Sequence, residues 1–170
     1  MNYAHIHLIL NHLPLFAGVF GVIILAWGLF RRSDEVQRIG LVLLILNALA
    51  AIPVYLTGEP AEEIAEKLPG VSEQIIESHE SAAMIALILS LITGVLAVIA
   101  LASKRLFSGN LALVTVFVAL VAGLASGGLM GYTANLGGQV RHSEIRGDQT
   151  LTPVTDKRSE TRKKDDDDDH

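Results

Sequence analysis

The chain has 170 residues, 51% of them hydrophobic and 18% charged, with a mean hydropathy of +0.46 and a formal net charge of −5. That length predicts one domain, and the balance excludes an ordinary soluble domain, which carries more charge; a membrane protein with a polar tail fits instead. No basic surface points to nucleic acid, and the lack of cysteine excludes disulfides, thiolate metal sites, Cys-ligated iron–sulfur clusters and covalently attached c-type haem.

The first stretch, Ala4–Pro14 (AHIHLILNHLP), holds three of the six histidines, His5, His7 and His12, and no charge. It runs into the apolar segment 13–30. About 20 apolar residues suffice to cross a bilayer as a helix. Pro14 suits the first turn of a helix, since it lacks an amide proton. Either a helix begins there or an earlier one bends there. The first basic residue is Arg31, after the apolar run, so the segment lacks the basic start of a cleaved signal and is expected to stay as a helix with its N-terminus outside.

RRSDEVQR, residues 31–38, reads as a short charged turn in which Ser33 or Asp34 caps the next helix. The second span covers 39–57; Pro53 either kinks it or ends it. Residues 58–80 carry seven glutamates and one lysine, with Ile64, Leu68, Val71, Ile75 and Ile76 at roughly helical spacing. This pattern predicts amphipathic surface helices divided by Pro69–Gly70, the second starting at Ser72 and running on into the membrane. The third span covers 81–102, SKRLFSGN (103–110) is a second basic turn, and the fourth span covers 111–134. The expected architecture is therefore all-α: an integral-membrane four-helix bundle over 1–147 with an amphipathic outer loop, followed by a disordered polar tail, 148–170.

The two short turns hold Arg31, Arg32, Arg38, Lys104 and Arg105, whereas the long acidic loop has only Lys67. Short basic turns belong on the cytoplasmic side. The expectation is a multi-pass protein of the inner (cytoplasmic) membrane, with lipid as its surroundings and both termini and the acidic loop outside, in the periplasm. Arg141 and Arg146 in the tail count against this assignment without reversing it.

On that topology His5, His7, His12, His79 and His142 share one outer layer. Neutral imidazole is the preferred ligand of haem iron, zinc and copper, and in a helical bundle such ligands come from facing helices. His12 and His79 lie at comparable depth and are the expected axial pair for a non-covalent haem b, with His7 and His142 as further candidates. Arg141 and Arg146 are candidate partners of the haem propionates. Asn11, Glu80, Asn135 and Gln139 are candidates to fix imidazole tautomers. Gly123, Gly127 and Gly131, with Gly128 beside them, make a smooth strip that suits helix packing or a porphyrin wall. The alternative is a metal-ion binding or transport protein that holds a bare ion, copper or zinc, by His5, His7, His12, His79 or His142 with Glu59 of the loop. A third reading is a structural subunit whose histidines are only interfacial.

Residues 7–14, His7-Leu8-Ile9-Leu10-Asn11-His12-Leu13-Pro14, carry a resemblance. The chain resembles a large bacterial family of small membrane proteins, classed as a domain of unknown function, whose members open with His-Pro-x-Leu-x-His-Phe-Pro. Both histidines and the second proline keep their spacing; Leu8 and Leu13 depart from it. Leu56-Thr57-Gly58-Glu59 and His79-Glu80 extend the likeness, which spans about residues 5–145. The resemblance implies about four helices. Because relatives are sometimes joined to Rieske-type or c-type cytochrome domains, it also implies electron transfer, with a quinone or membrane redox complex on one side and an outer electron carrier on the other.

Overall fold

The computed structural model describes residues 2–107, 109–142 and 145–146, so the expected polar tail, 148–170, lies outside the described residues. Six helical segments follow one another: α1 (Tyr3–Leu10), α2 (His12–Phe30), α3 (Asp34–Leu56), α4 (Gly58–Ala65), α5 (Glu73–Leu106) and α6 (Asn110–Arg141). Four stretches are long and apolar enough to cross a membrane: Tyr3–Phe30, Asp34–Leu56, Glu73–Leu106 and Asn110–Arg141. They pack as a bundle in which α2 lies against α3, α3 against α5, α5 against α6, and α6 back against α2. The short α4 lies across α1.

The breaks follow from local chemistry. The helix begins before Pro14 and is interrupted at Asn11, leaving α1 and α2 as separate segments. Pro14 cannot donate to the Leu10 carbonyl, so the turn that would join them lacks a bond. Ser33 caps α3 by accepting from the Val36 amide. That helix runs through Pro53 and ends three residues later, at Leu56. Gly70, at φ 81°, makes the turn before Ser72, and α5 then continues unbroken for 34 residues. At 1.5 Å per residue α5 measures about 51 Å, against a hydrocarbon core of about 30 Å. The excess length leaves room for turns outside the membrane, and the polar first turns, with Glu73, Glu77 and Glu80, also carry His79.

Lipid offers no hydrophobic drive between helices, so close van der Waals packing must hold them. Small residues provide it. A Cβ at Gly40 would sit 2.6 Å from the Leu25 backbone nitrogen, one at Gly28 2.7 Å from the Gln37 nitrogen, and one at Gly94 2.5 Å from the Ala48 Cβ. Around these contacts Leu25, Leu41, Leu44, Ala97, Ala100, Val116 and Ala119 are wholly buried. Large apolar side chains such as Phe20, Ile23, Leu49, Ile88, Val95 and Phe117 point outward, as lipid contact requires.

Polar groups inside the bundle are few. Ser90 donates to the Ala86 carbonyl at 2.7 Å, which leaves Ser126 as the donor of the 3.0 Å bond between the two hydroxyls. At the end where α2 meets α3, the Lys104 ammonium donates to Asp34 (2.6 Å) and to the Gln37 Oε1 (2.7 Å), while Gln37 Nε2 donates to the Gly28 carbonyl (3.2 Å). This cluster clamps α2, α3 and α5 together. Asn47 is different: it is 1% exposed, and both of its amide atoms lack a partner.

Candidate functional site

α1, the start of α2, the end of α3, α4, the start of α5 and the end of α6 all meet at one end of the bundle, here termed the histidine end. His7 leans from α1 onto the end of α3. Its Nδ1 lies 3.1 Å from the Val54 carbonyl and 3.2 Å from Thr57 Oγ1. Val54 belongs to the last turn of α3, where carbonyls have no intrahelical donor, so His7 acts as a cap. Thr57 completes that cap, its hydroxyl lying 2.9 Å from the Pro53 carbonyl and 3.0 Å from that of Val54.

His79 makes the corresponding contact on the other side. Its Nδ1 donates to the Thr133 carbonyl of α6 at 3.0 Å. That carbonyl lies within a helix, and the ring reaches it by resting on Gly137. A Cβ there would stand 3.1 Å from His79 Cε1 and 3.4 Å from Nδ1. Both rings are half-buried.

The shared geometry has a chemical consequence. A carbonyl only accepts, so Nδ1 must carry the proton in both rings, and in the neutral form each Nε2 keeps its lone pair. Donation from the second ring nitrogen to a carbonyl is also the arrangement that orients metal-bound imidazole.

The other candidates are placed differently. His12 is exposed on α2 and stacks on Phe16 at 6.2 Å, and Phe16 stacks in turn on Phe20; the row faces out of the bundle. His5 is exposed near the N-terminus, and His142 is exposed at the end of α6, where its amide donates to the Gly138 carbonyl at 3.0 Å. Arg141 is exposed. Arg146 directs its guanidinium to the carbonyls of Gln139 (2.7 Å), Val140 (2.8 Å) and Gly70 (3.1 Å), tying the 66–72 connection to the end of α6. Gln139 donates to Asn135 (2.7 Å), and Asn11 Oδ1 is buried without a partner. The structure thus half-buries His7 against the end of α3 and His79 against α6, and turns His12 outward.

Glu59 and Glu63 are exposed, whereas Glu62, on the same helix, is half-buried. Burial, with Glu80, Glu66 and Glu59 nearby, pushes the Glu62 carboxyl up to about 7. Among the described residues no three His, Asp or Glu side chains converge as a metal cage. Sequence reasoning missed Thr57, Thr133, Gly137 and Glu62. Only Thr57 stood within a recognised motif, Leu56-Thr57-Gly58-Glu59. No family model, no curated protein and no solved structure matches the chain.

Proposed function

We propose that the histidine end is a bis-imidazole site and that the protein is a membrane electron carrier of the b-type cytochrome kind, with His7 and His79 as axial ligands. The supporting observation is the matched pair of Nδ1–carbonyl bonds, which leaves an Nε2 lone pair on each ring. The residues present suit a haem. Two half-buried imidazoles are available, and on α6 a Cβ at Gly127 or Gly131 would meet nothing within 4 Å. Exposed Arg141 is the candidate partner for a propionate, because Arg146 is engaged with three carbonyls. A haem held there would supply one-electron transfer. The protein's part is to hold both rings in one tautomer, exclude other ligands and keep the site near the surface.

In this reading the protein sits in the cytoplasmic membrane with the histidine end outside, because the short connections at the other end carry five Lys/Arg. Electrons would pass between a quinone or membrane redox complex and an outer carrier.

Oxidised and dithionite-reduced absorption spectra of the purified protein test the reading. A low-spin haem spectrum is expected, lost in His7→Ala and in His79→Ala and retained in His12→Ala. A colourless preparation with stoichiometric copper or zinc would replace haem by a bare metal. A colourless, metal-free protein made under ample haem supply would leave the histidines a structural role.

A further inference from the structure

At the end away from the histidines, α2 turns a groove outward. Ile23, Ala26, Trp27 and Phe30 line it, and its volume is about 590 Å3. Residues 23, 27 and 30 fall on one helix face, and Ala26 sets a small side chain beside three large ones. Ile23, Trp27 and Phe30 are exposed, whereas Gly21, Leu25 and Gly28, on the opposite side of α2, take the contact with α3.

A cation stands at the mouth of the groove. Helical side chains lean towards the N-terminus of their helix, so Arg31 leans back over the groove and not away from it. Its guanidinium carbon lies 5.8 Å from the centre of the Trp27 ring, and that ring meets Phe30 at 5.6 Å. Nothing in α2 answers the charge, since residues 12–30 include no Asp or Glu. Asp34 is taken by Lys104, and Glu35 lies in the first turn of α3, where the helix dipole favours it. Among the described residues Arg31 and Arg32 form no ion pair. Arg32 adds a second charge at a position that usually belongs to glycine. The Ser33 amide donates to the Gly28 carbonyl and the Arg32 amide to that of Leu29, which closes the helix with Arg32 at φ 52°. The turn accepts that strain and keeps a cation there.

The charge decides what covers the groove. Two copies of the chain joined along this face would bring both Arg31–Arg32 turns to the same end, with no carboxylate on α2 to separate them. A neutral lipid would fill the groove and leave the guanidinium unanswered. An anionic phospholipid meets both demands: a hydrocarbon chain suits the apolar walls, and a phosphate at the interface matches the guanidinium fork. We propose that this groove, with Arg31 at its mouth, is a binding site for one anionic phospholipid. The phosphate sits on Arg31 beside Trp27, and an acyl chain runs down past Ala26 and Ile23.

Trp27 is the chain's one tryptophan, so the site carries its own reporter. The full-length protein is reconstituted in phosphatidylcholine bilayers with a rising share of dibrominated phosphatidylglycerol or of dibrominated phosphatidylcholine, and the quenching of Trp27 fluorescence measures how well each lipid holds the groove. The wild type should favour phosphatidylglycerol about fivefold, the effect of roughly one surface cation. Arg31→Gln should cut that preference to less than about twofold. Arg105→Gln should leave it unchanged, because Arg105 belongs to α5, which reaches α2 only through α3 and α6. Equal quenching by the two lipids in the wild type, a full preference in Arg31→Gln, or an equal loss in Arg105→Gln overturns the proposal. Weak quenching by both lipids overturns it too, since a protein surface such as a second copy would then cover Trp27. Both lipids are compared in one preparation, so the result does not depend on whether haem occupies the other end.

Discussion

The two ends of the bundle solve the same packing problem with different residues. At the end where α2 turns into α3, glycine meets backbone, and Lys104, Asp34 and Gln37 satisfy one another. At the histidine end, side chains reach across to carbonyls of neighbouring helices, and Asn11 keeps an unmet amide oxygen; in the middle of α3, Asn47 is unmet as well. The first end is built for stability. The second leaves lone pairs and a titratable carboxyl, each with a cost in packing or desolvation. Such imperfect satisfaction concentrates where a protein binds something.

One substitution made at a closely packed glycine and at an open one should test the comparison most sharply. Gly40→Ala drives a Cβ against the Leu25 backbone at 2.6 Å, which no side-chain rotation relieves. It should destabilise by about 3 kcal/mol, at the upper end for overpacking. Gly127→Ala enters open space and should stay within about 0.5 kcal/mol of wild type. Unfolding in mixed detergent micelles measures both, and equal losses would erase the distinction. Next in size, Lys104→Met leaves the Gln37 Oε1 without its donor and should cost about 1–3 kcal/mol. Asp34→Asn should cost less than about 1 kcal/mol by the same measurement, because the Asp34 side chain is 74% exposed and its ion pair is screened.

The stable end was the legible one. Uncharged runs gave four spans, the basic turns marked the connections, and Ser72 marked the start of a helix that enters the bundle unbroken. What sequence could not give was rotation and depth. His7 and His12 are five positions apart in one motif, yet the break at Asn11 sends one ring to Val54 and the other out beside Phe16. No periodicity fixes the angle at such a break. The carbonyl acceptors were invisible for another reason: every residue has a carbonyl, so nothing in the letters singles out Val54 or Thr133. Glu62 resembled its neighbours until α4 was laid across α1.

The histidine pair provides a smaller test of the same contrast. Gly137→Ala crowds His79 at 3.1 Å and should displace the ring from the Thr133 carbonyl, at a cost of about 1 kcal/mol. Gly58→Ala stands 3.8 Å from His7, an ordinary contact, and should leave that ring in place. Long-range nitrogen–proton NMR of the imidazoles reads the outcome directly. The Nδ1-protonated pattern should be lost at His79 in the first variant and kept at His7 in the second.

The last test isolates the acidic side of that end. The Glu62 carboxyl titrates near 7 in the folded protein against an ordinary value of 4.5, with burial the largest cause. Below pH 4.5 both folded and unfolded chains carry the proton, and the group contributes nothing to the balance. Between 4.5 and 7 the unfolded chain ionises first, so stability should fall as pH rises, and above 7 the penalty is fully in place. Glu62→Gln should flatten that slope in thermal unfolding measured from pH 4.5 to 8. Added salt screens the repulsion from Glu80, Glu66 and Glu59 but leaves the desolvation of a half-buried carboxyl almost untouched. If high salt removes the whole slope, the glutamates on α4 and α5 act only through their charges, and the packing of α4 over α1 is looser than the burial of Glu62 requires.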